Sequence, residues 1–389
     1  MNKTKISAEV VVDSVDPRGN RLTSLLITFP RIILAEINTH RMLSKNTSSS
    51  RAIPFKKMVE SVQNDPFIPI AWQKEHTGMQ GEEYITDEEK IQTCIDDWLV
   101  ARNNAIESAK TLNKGFNRKD EQGNWIQTEE IDFTDKVTKQ LCNRLLEPFM
   151  WTTMLITGSK EGWNNFFELR CPSYKIDDID NTRFKSWKDL ISFIKGRDKV
   201  DDSVIESYEQ FSVIEKLQKN KGQAEIHIMD LAEKIYDAMN ESTPKQLQGG
   251  EWHIPFEDKM HFWGAEYFPA LFGNPTQEEK NILKVKISTA MAARTSYTVV
   301  GEEKGIDYQK MIDLHDRLIG QNPPHSSPME HCARVMTSEE YYLFNRGEAY
   351  IDSWHKSPDI LGFTPENRGW CRNFKGFIQY RHIIETQNK

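Results

Sequence analysis

The sequence predicts a mixed α/β (α+β) fold, with an antiparallel or mixed sheet and a helical middle region. Apolar and polar residues alternate over residues 6–15, a period typical of a strand with one buried face. Residues 21–37 form a second, longer strand pattern interrupted at Pro30, so the N-terminus is expected to be a β-hairpin. Helical spacing of apolar residues begins near residue 87, and strand-like segments return in 332–384.

Several helices are predicted in the middle of the chain from the spacing of apolar residues. The first is expected to start with a capping box formed by Thr86 and Glu89 and to end near Gly115. Further helical segments are predicted over 135–147, 163–170 and 223–239, and an apolar segment over 281–297. Residues 261–273 are rich in aromatic side chains.

We divide the chain into three parts that together form one folded unit. Residues 1–56 hold the N-terminal hairpin and a polar loop. Residues 57–280 form the helical region, in which the charged and irregular segment 172–221 is a predicted insertion. Residues 281–389 form the C-terminal segment.

The composition predicts a globular cytoplasmic protein. No apolar run approaches the roughly 20 residues that span a bilayer, and the first residues lack the apolar core of a signal peptide. The five cysteines form no C-x-x-C pair, which argues against a disulfide framework and a zinc site. The net charge of −8 disfavours a nucleic acid polymer as partner and favours a small anion held by local arginines.

The most informative segment is the polar stretch from Thr39 to Arg51, which follows the apolar run 32–35. A polar loop at the end of a buried strand is a common way to build an anion site. Arg41 and Arg51 can each bind a phosphate or carboxylate through two parallel hydrogen bonds. The alternative is a solvated Ser/Thr loop after an edge strand.

The spacing in this loop resembles the signature of the flavin-dependent thymidylate synthases (the ThyX family), R-H-R followed after seven residues by Ser and then Arg. The matching positions are His40, Arg41, Ser44, Asn46, Ser49 and Arg51. Two positions differ, because Thr39 replaces the first Arg and Thr47 replaces a Glu.

Other segments also resemble motifs of this family. They are 143–148 (NRLLEP), 165–170 (NFFELR), 222–226 (GQAEI), 292–297 (AARTSY) and 325–331 (HSSPMEH). Each has a structural alternative: Arg144 could be an exposed charge near a helix end, and Arg170 could form a salt bridge with a buried carboxylate. Ser327 and Glu330 could form the capping box of a helix.

The order of these motifs differs from that of the family, in which AARxS and HxSPFEH come first. Here they come last, so we expect a ThyX-like fold whose motif order is circularly permuted, or an equivalent rearrangement across subunits. The three parts of the chain would then complete one ThyX-like catalytic unit. The segment 373–382 could correspond to the one that precedes the first motif in the family.

The resemblance implies a homotetrameric FAD-dependent methyltransferase of dTMP biosynthesis, which methylates dUMP at C5 with NADPH and methylenetetrahydrofolate as co-substrates. The residues implied for dUMP are Glu36, Ser49, Ser50, Arg51, Arg144 and Arg170, with Arg170 also catalytic. Those implied for FAD are His40, Arg41, Asn46, Asn165, Gln223, His325, Ser327 and Glu330, and no metal is implied. A related enzyme that hydroxymethylates a pyrimidine nucleotide, or a catalytically silent nucleotide-binding homologue, is the alternative.

Overall fold

The fold is described from a computed structural model. It covers residues 3–77, 81, 83–115, 122, 135–176, 182–196, 202–260, 275–300, 305–344 and 367–387. The aromatic-rich segment predicted at 261–273 lies outside these residues. No helix within them is both long enough and apolar enough to cross a bilayer.

A five-stranded mixed sheet forms the centre of the fold and confirms the predicted α/β class. Its strands are β1 (Ser7–Val15), β2 (Arg21–Pro30), β3 (Ser44–Thr47), β4 (Trp151–Ser159) and β5 (Lys245–Gln246), in the order β3-β4-β2-β1-β5. All pairs are antiparallel except β1 with β5. The predicted hairpin of β1 and β2 is confirmed, and β4 pairs with β2 along its whole length.

The second strand ends at Pro30, so the prediction that it continues to residue 37 is wrong. Residues Arg31–Ile33 form a 3-10 turn, and α1 spans Leu34–Asn38. Ile33 and Ile37 are four residues apart, and both are buried on the same side of this helical segment, whereas Ile32 is exposed. A short apolar run fits a buried strand and a helix equally well, which explains the error.

A second, antiparallel sheet brings the C-terminal part of the chain against the first. It contains β6 (Trp252–His253), β7 (Ala333–Val335) and β10 (Phe377–Gln379), in the order β10-β7-β6; β8 (Trp370–Cys371) pairs with β9 (Phe374–Lys375). Leu22 of β2 packs in one buried cluster with Val335 and Phe377. The two ends of the chain therefore share a core.

Helices of the N-terminal half and the middle surround the main sheet. They are α2 (Phe55–Asn64), α3 (Glu88–Lys114), α4 (Lys139–Cys142), α5 (Lys160–Arg170), α6 (Trp187–Lys195), α7 (Asp202–Glu209), α8 (Val213–Lys219) and α9 (Ile226–Glu241). The helices predicted at 163–170 and 223–239 correspond to α5 and α9. The helix predicted over 135–147 is shorter, since a 3-10 segment over Asn143–Phe149 that contains Pro148 follows α4.

The described residues of the segment 172–221 are not irregular, because they contain α6, α7 and α8. Helices α6 and α7 pack on a small core around Trp187 and Leu190, whereas α8 packs on the main core through Ile214 and Leu217. The C-terminal helices are α10 (Gln277–Arg294), α11 (Tyr308–Ile319), α12 (Ser338–Leu343) and α13 (Tyr380–Gln387). Helix α10 accounts for most of the apolar segment predicted at 281–297.

The long helix α3 starts at a different cap from the predicted one. The side chain of Asp87 accepts a hydrogen bond from the Lys90 amide at 3.0 Å, so Asp87 is the N-cap instead of Thr86.

Asp87→Ala is expected to lower the free energy of unfolding by about 1 kcal/mol in urea denaturation, because an amide of the first turn loses its acceptor. Thr86→Ala is the control and should change it by less than about 0.5 kcal/mol. A larger loss of stability in Thr86→Ala than in Asp87→Ala would show that Thr86 is the N-cap, as the sequence predicted.

Candidate functional site

Arg170, at the C-terminal end of α5, joins three residues around the start of the polar loop. Its NH1 group lies 3.2 Å from Glu36 Oε2, its Nε donates to His40 Nε2 at 3.0 Å, and its NH2 donates to Thr39 Oγ1 at 3.4 Å. Arg170 therefore forms a salt bridge, as in the alternative considered for it, but its partner Glu36 is partly exposed instead of buried. Burial and the nearby Glu225 raise the pKa of Glu36, while Arg170 opposes the shift.

The protonation state of His40 follows from this contact. Because Nε2 accepts a hydrogen bond from Arg170, the neutral ring carries its proton on Nδ1. His40 is buried and packs edge-to-face on Phe166, with ring centroids 4.9 Å apart. Burial, followed by the positive charges of Arg170 and Lys45, lowers the pKa of His40 to about 4. His40 is therefore a neutral orienting group for Arg170 at neutral pH.

The low pKa of His40 predicts a pH dependence of stability. Between pH 6.5 and about 4 the unfolded chain binds a proton at His40 that the folded protein does not. The stability that neutral His40 provides is complete above pH 6.5 and declines as the pH falls through this window. His40→Gln should therefore show a smaller decrease than the wild type in urea unfolding at pH 7, 5.5 and 4.5. His76→Gln, at an exposed position, is the control, and equal decreases in His40→Gln and the wild type would contradict the prediction.

Asn46 of β3 connects the polar loop to both motifs of the C-terminal part. Its amide nitrogen donates to the carbonyl of Ala292 and, at 3.0 Å, to Thr295 Oγ1. Its amide oxygen accepts a hydrogen bond from Ser327 Oγ at 3.1 Å. Ser49 adds a backbone bond from its amide to the carbonyl of Ser296, at 2.7 Å. Three segments that resemble family motifs thus meet at one buried amide, although nearly 300 residues separate the first from the last.

The segment 325–331 does not form the predicted capping box. Ser327–Glu330 is a 3-10 helix without a side-chain cap, because Ser327 bonds to Asn46 and Glu330 pairs with Arg381 at 2.5 Å. Lys45 approaches Glu330 from the polar loop, and its Nζ donates to the carbonyl of His40 at 2.5 Å. Burial lowers the pKa of Lys45 to about 8, and Glu330 opposes the shift.

The residues implied for the phosphate lie around one turn of the loop. Ser50 is buried and its hydroxyl donates to Glu147 Oε1 at 2.5 Å, so it supports the turn and does not face a ligand. Arg51 is exposed, with Nε 3.3 Å from Gln140 Oε1. Arg144 is also exposed, and its neighbour Asn143 donates to the Ser50 carbonyl at 2.6 Å. Ser49 is half-buried, whereas the side chains of Arg51 and Arg144 are exposed.

The residues implied for FAD fall into two groups. Arg41, Asn165, Gln223 and His325 are exposed, and offer the mixed donors and acceptors that a flavin ring and its phosphates require. His40 and Asn46 are buried. His40 Nε2, the Asn46 amide and Ser327 Oγ are hydrogen-bonded within the protein, and Glu330 is paired with Arg381. The exposed set is accessible to a cofactor, whereas the second set takes part in hydrogen bonds and an ion pair within the protein.

The protein also has a cleft of about 360 Å³. It is lined by Thr4, Lys57, Glu60, Ser61, Asn64, Asp65, Trp151, Val299 and Val300. None of the nine belongs to the predicted site.

Several residues of the site were not predicted. Arg31, Asn143 and Glu147 hold the turn at residues 48–51, called the phosphate turn below, while Lys45 and Arg381 flank Glu330. Asn143 and Glu147 lie within a segment that resembles a family motif, which could have drawn attention to them. Arg381 is 51 residues from Glu330. It lies in the segment 373–382, which could correspond to a family segment, but nothing in the sequence indicates its contact with Glu330.

The comparisons with known proteins find similar solved structures but no sequence relative. No protein-family model matches the chain, and no curated protein matches it in sequence. Among solved structures, the UMP/dUMP methylase PolB from Streptomyces cacaoi bound with 5-Br UMP is similar with a TM-score of 0.37 and 12% identity, covering 61% of this chain and 90% of that one. PolB bound with 5-Br dUMP gives a TM-score of 0.32 and 12% identity, covering 54% and 98%.

Proposed function

We propose that this protein is a flavin-dependent enzyme that modifies C5 of a pyrimidine nucleotide. Its simplest form is a thymidylate synthase, which methylates dUMP to dTMP with methylenetetrahydrofolate as one-carbon donor and NADPH-reduced FAD as hydride source. The observation that carries the proposal is the meeting of three motif-like segments at Asn46. Side-chain hydrogen bonds to a single buried amide are a specific arrangement, because each unsatisfied polar group there would cost about 1–3 kcal/mol.

The phosphate would bind at the turn that carries Ser49 and Arg51, opposite Arg144. Two guanidiniums and a hydroxyl provide charge-assisted hydrogen bonds to a dianion. They do so in a chain of net charge −8, where an anion requires a local cluster of positive charge.

Arg170 would bind a carbonyl of the pyrimidine ring. Its guanidinium is fixed by Glu36, His40 and Thr39, and its side chain keeps 21% of its surface exposed. A fixed positive charge stabilises negative charge that develops on the ring when C5 acts as nucleophile. Neutral His40 suits this role, because a protonated imidazole would repel the arginine.

Arg41, Asn165, Gln223 and His325 would hold the flavin, which supplies the hydride when bound. The alternative reaction, hydroxymethylation, is favoured by Thr39, whose hydroxyl donates to the Glu36 carbonyl at 2.6 Å where the family pattern has a cation. A changed contact at this position would alter how the flavin is held.

A homo-oligomer is also proposed, as the family resemblance implies. Ile32, Leu141 and Leu145 are exposed at 41%, 59% and 41% on the segments that carry Arg31 and Arg144. Exposed apolar side chains clustered beside a site often mark an interface. Light scattering of the purified protein would give the number of subunits.

The experiment that tests the proposal is an absorption spectrum of the purified protein, followed by titration with dUMP and dCMP and product analysis. A flavin spectrum and dTMP as the product are the expected results. Formation of a hydroxymethylated product, or activity on dCMP, would indicate the related enzyme. Protein that binds dUMP but stays colourless with added FAD would indicate the catalytically silent homologue.

A further inference from the structure

Arg31 lies just before the polar loop and is not among the residues implied for the nucleotide or for FAD. It follows β2 directly, and only 15% of its side-chain surface is exposed. Its NH1 donates to the carbonyl of Ser48 at 2.8 Å, and its NH2 lies 3.5 Å from Glu147 Oε1. Its own amide bonds to the carbonyl of Met150 at 2.9 Å, which fixes the backbone at this point.

The contact with Ser48 fixes one end of the phosphate turn. Ser48 precedes Ser49, and on the other side Asn143 donates to the carbonyl of Ser50 at 2.6 Å. The two carbonyls that flank Ser49 are therefore held by side chains from different parts of the chain. Rotation of either peptide would move the Ser49 hydroxyl and the following guanidinium together.

The charges around this turn are unbalanced. Lys139 donates to the carbonyl of Ala52 at 3.0 Å, so it joins Arg31, Arg51 and Arg144 beside the carboxylate of Glu147. The four cations and one carboxylate have a formal charge of +3. Burial is the main cause that lowers the pKa of Arg31; Glu147 opposes the shift, and the like charge of Arg144 lowers the pKa further. A bound dianion would relieve this repulsion.

We propose that Arg31 is a positioning residue for the phosphate of the nucleotide, acting through the carbonyl of Ser48. The inference rests on the proposed function and adds a residue to its phosphate site. The donors of Arg31 are directed at Ser48 and Glu147, so it sets the position of Ser49 and Arg51 and leaves the direct contacts to them. Glu147 keeps the guanidinium in this orientation and at the same time receives the Ser50 hydroxyl.

The test compares the affinities of the full-length protein for dUMP and for deoxyuridine by isothermal titration calorimetry. The ratio of the two affinities measures what the phosphate contributes. Arg31→Gln should lower this ratio by at least about tenfold and leave the deoxyuridine affinity within about twofold, because charge-assisted contacts depend on geometry. Arg31→Lys, which keeps the charge but cannot reach both partners, should give an intermediate ratio and serves if Arg31→Gln does not fold.

Arg21 offers a matched control at the other end of β2. It also bonds one carbonyl and one carboxylate, with NH2 at 2.6 Å from both Met239 O and Asp13 Oδ2. Arg21→Gln should leave the affinity ratio unchanged. Equal losses for dUMP and deoxyuridine in Arg31→Gln, or an unchanged ratio in both Arg31 variants, would overturn the inference alone. Wild-type protein that binds dUMP no better than deoxyuridine would overturn the proposed phosphate site and the inference with it.

Discussion

Arg170→Ala is expected to lower the turnover of dUMP by on the order of 100- to 1,000-fold, the usual effect of removing a fixed donor at a developing charge. The side chain has no equivalent among its neighbours, because Glu36 and Thr39 carry no positive charge and His40 is neutral above about pH 4. Removing it also leaves Glu36 without its ion-pair partner. Steady-state kinetics with dUMP would show the loss mainly in kcat if the contact strengthens in the transition state.

Two further variants separate the role of Arg170 from a general effect on folding. Arg183→Ala removes an exposed arginine near the same helix end, which bonds to Ser173 Oγ at 3.1 Å, and should leave turnover within about twofold. Arg170→Lys keeps the positive charge but cannot contact Glu36, His40 and Thr39 together, so most of the loss should remain. Normal turnover in Arg170→Ala would refute the assignment of this residue to the reaction.

The parts of the fold that were predictable depend on local patterns. The alternation in β1 and the turn after it specify the hairpin without reference to the rest of the chain. The cap of α3 was misplaced by one residue, because Thr86 and Asp87 are both good N-cap residues and only the backbone geometry distinguishes them. The run 32–35 was misassigned because four apolar residues have no detectable period.

The site was predictable only where its residues lie within recognisable motifs. His40 and Arg170 both belong to such motifs, and in the structure Nε of Arg170 lies 3.0 Å from Nε2 of His40. Arg31, Lys45 and Arg381 were not predicted, since their contacts depend on how distant segments pack. The sequence could not indicate either that Asn46 and Ser50 are buried and bonded within the protein, because a motif names a residue without fixing the direction of its side chain.

The second large effect is expected for Asn46→Asp, which preserves the shape of the side chain but replaces its NH2 donor with an oxygen. Asn46 is 4% exposed, and its nitrogen faces the carbonyl of Ala292. A carboxylate there would oppose that carbonyl without a cation among its hydrogen-bond partners. We expect the free energy of unfolding to fall by about 3–5 kcal/mol, the range for an uncompensated buried charge.

Urea denaturation at pH 7 measures this loss, and Asn165→Asp is the matched control. The substitution is identical, but Asn165 is exposed on α5, so its effect should be below about 0.5 kcal/mol. Because Asn46 joins the polar loop to Ala292 and Ser327, the variant should also lose protection from hydrogen exchange at both of these segments. If instead only β3 lost protection, the loop and the C-terminal motifs would not be coupled through Asn46. The proposal that the polar loop and the C-terminal motifs form one site would then lose its physical basis.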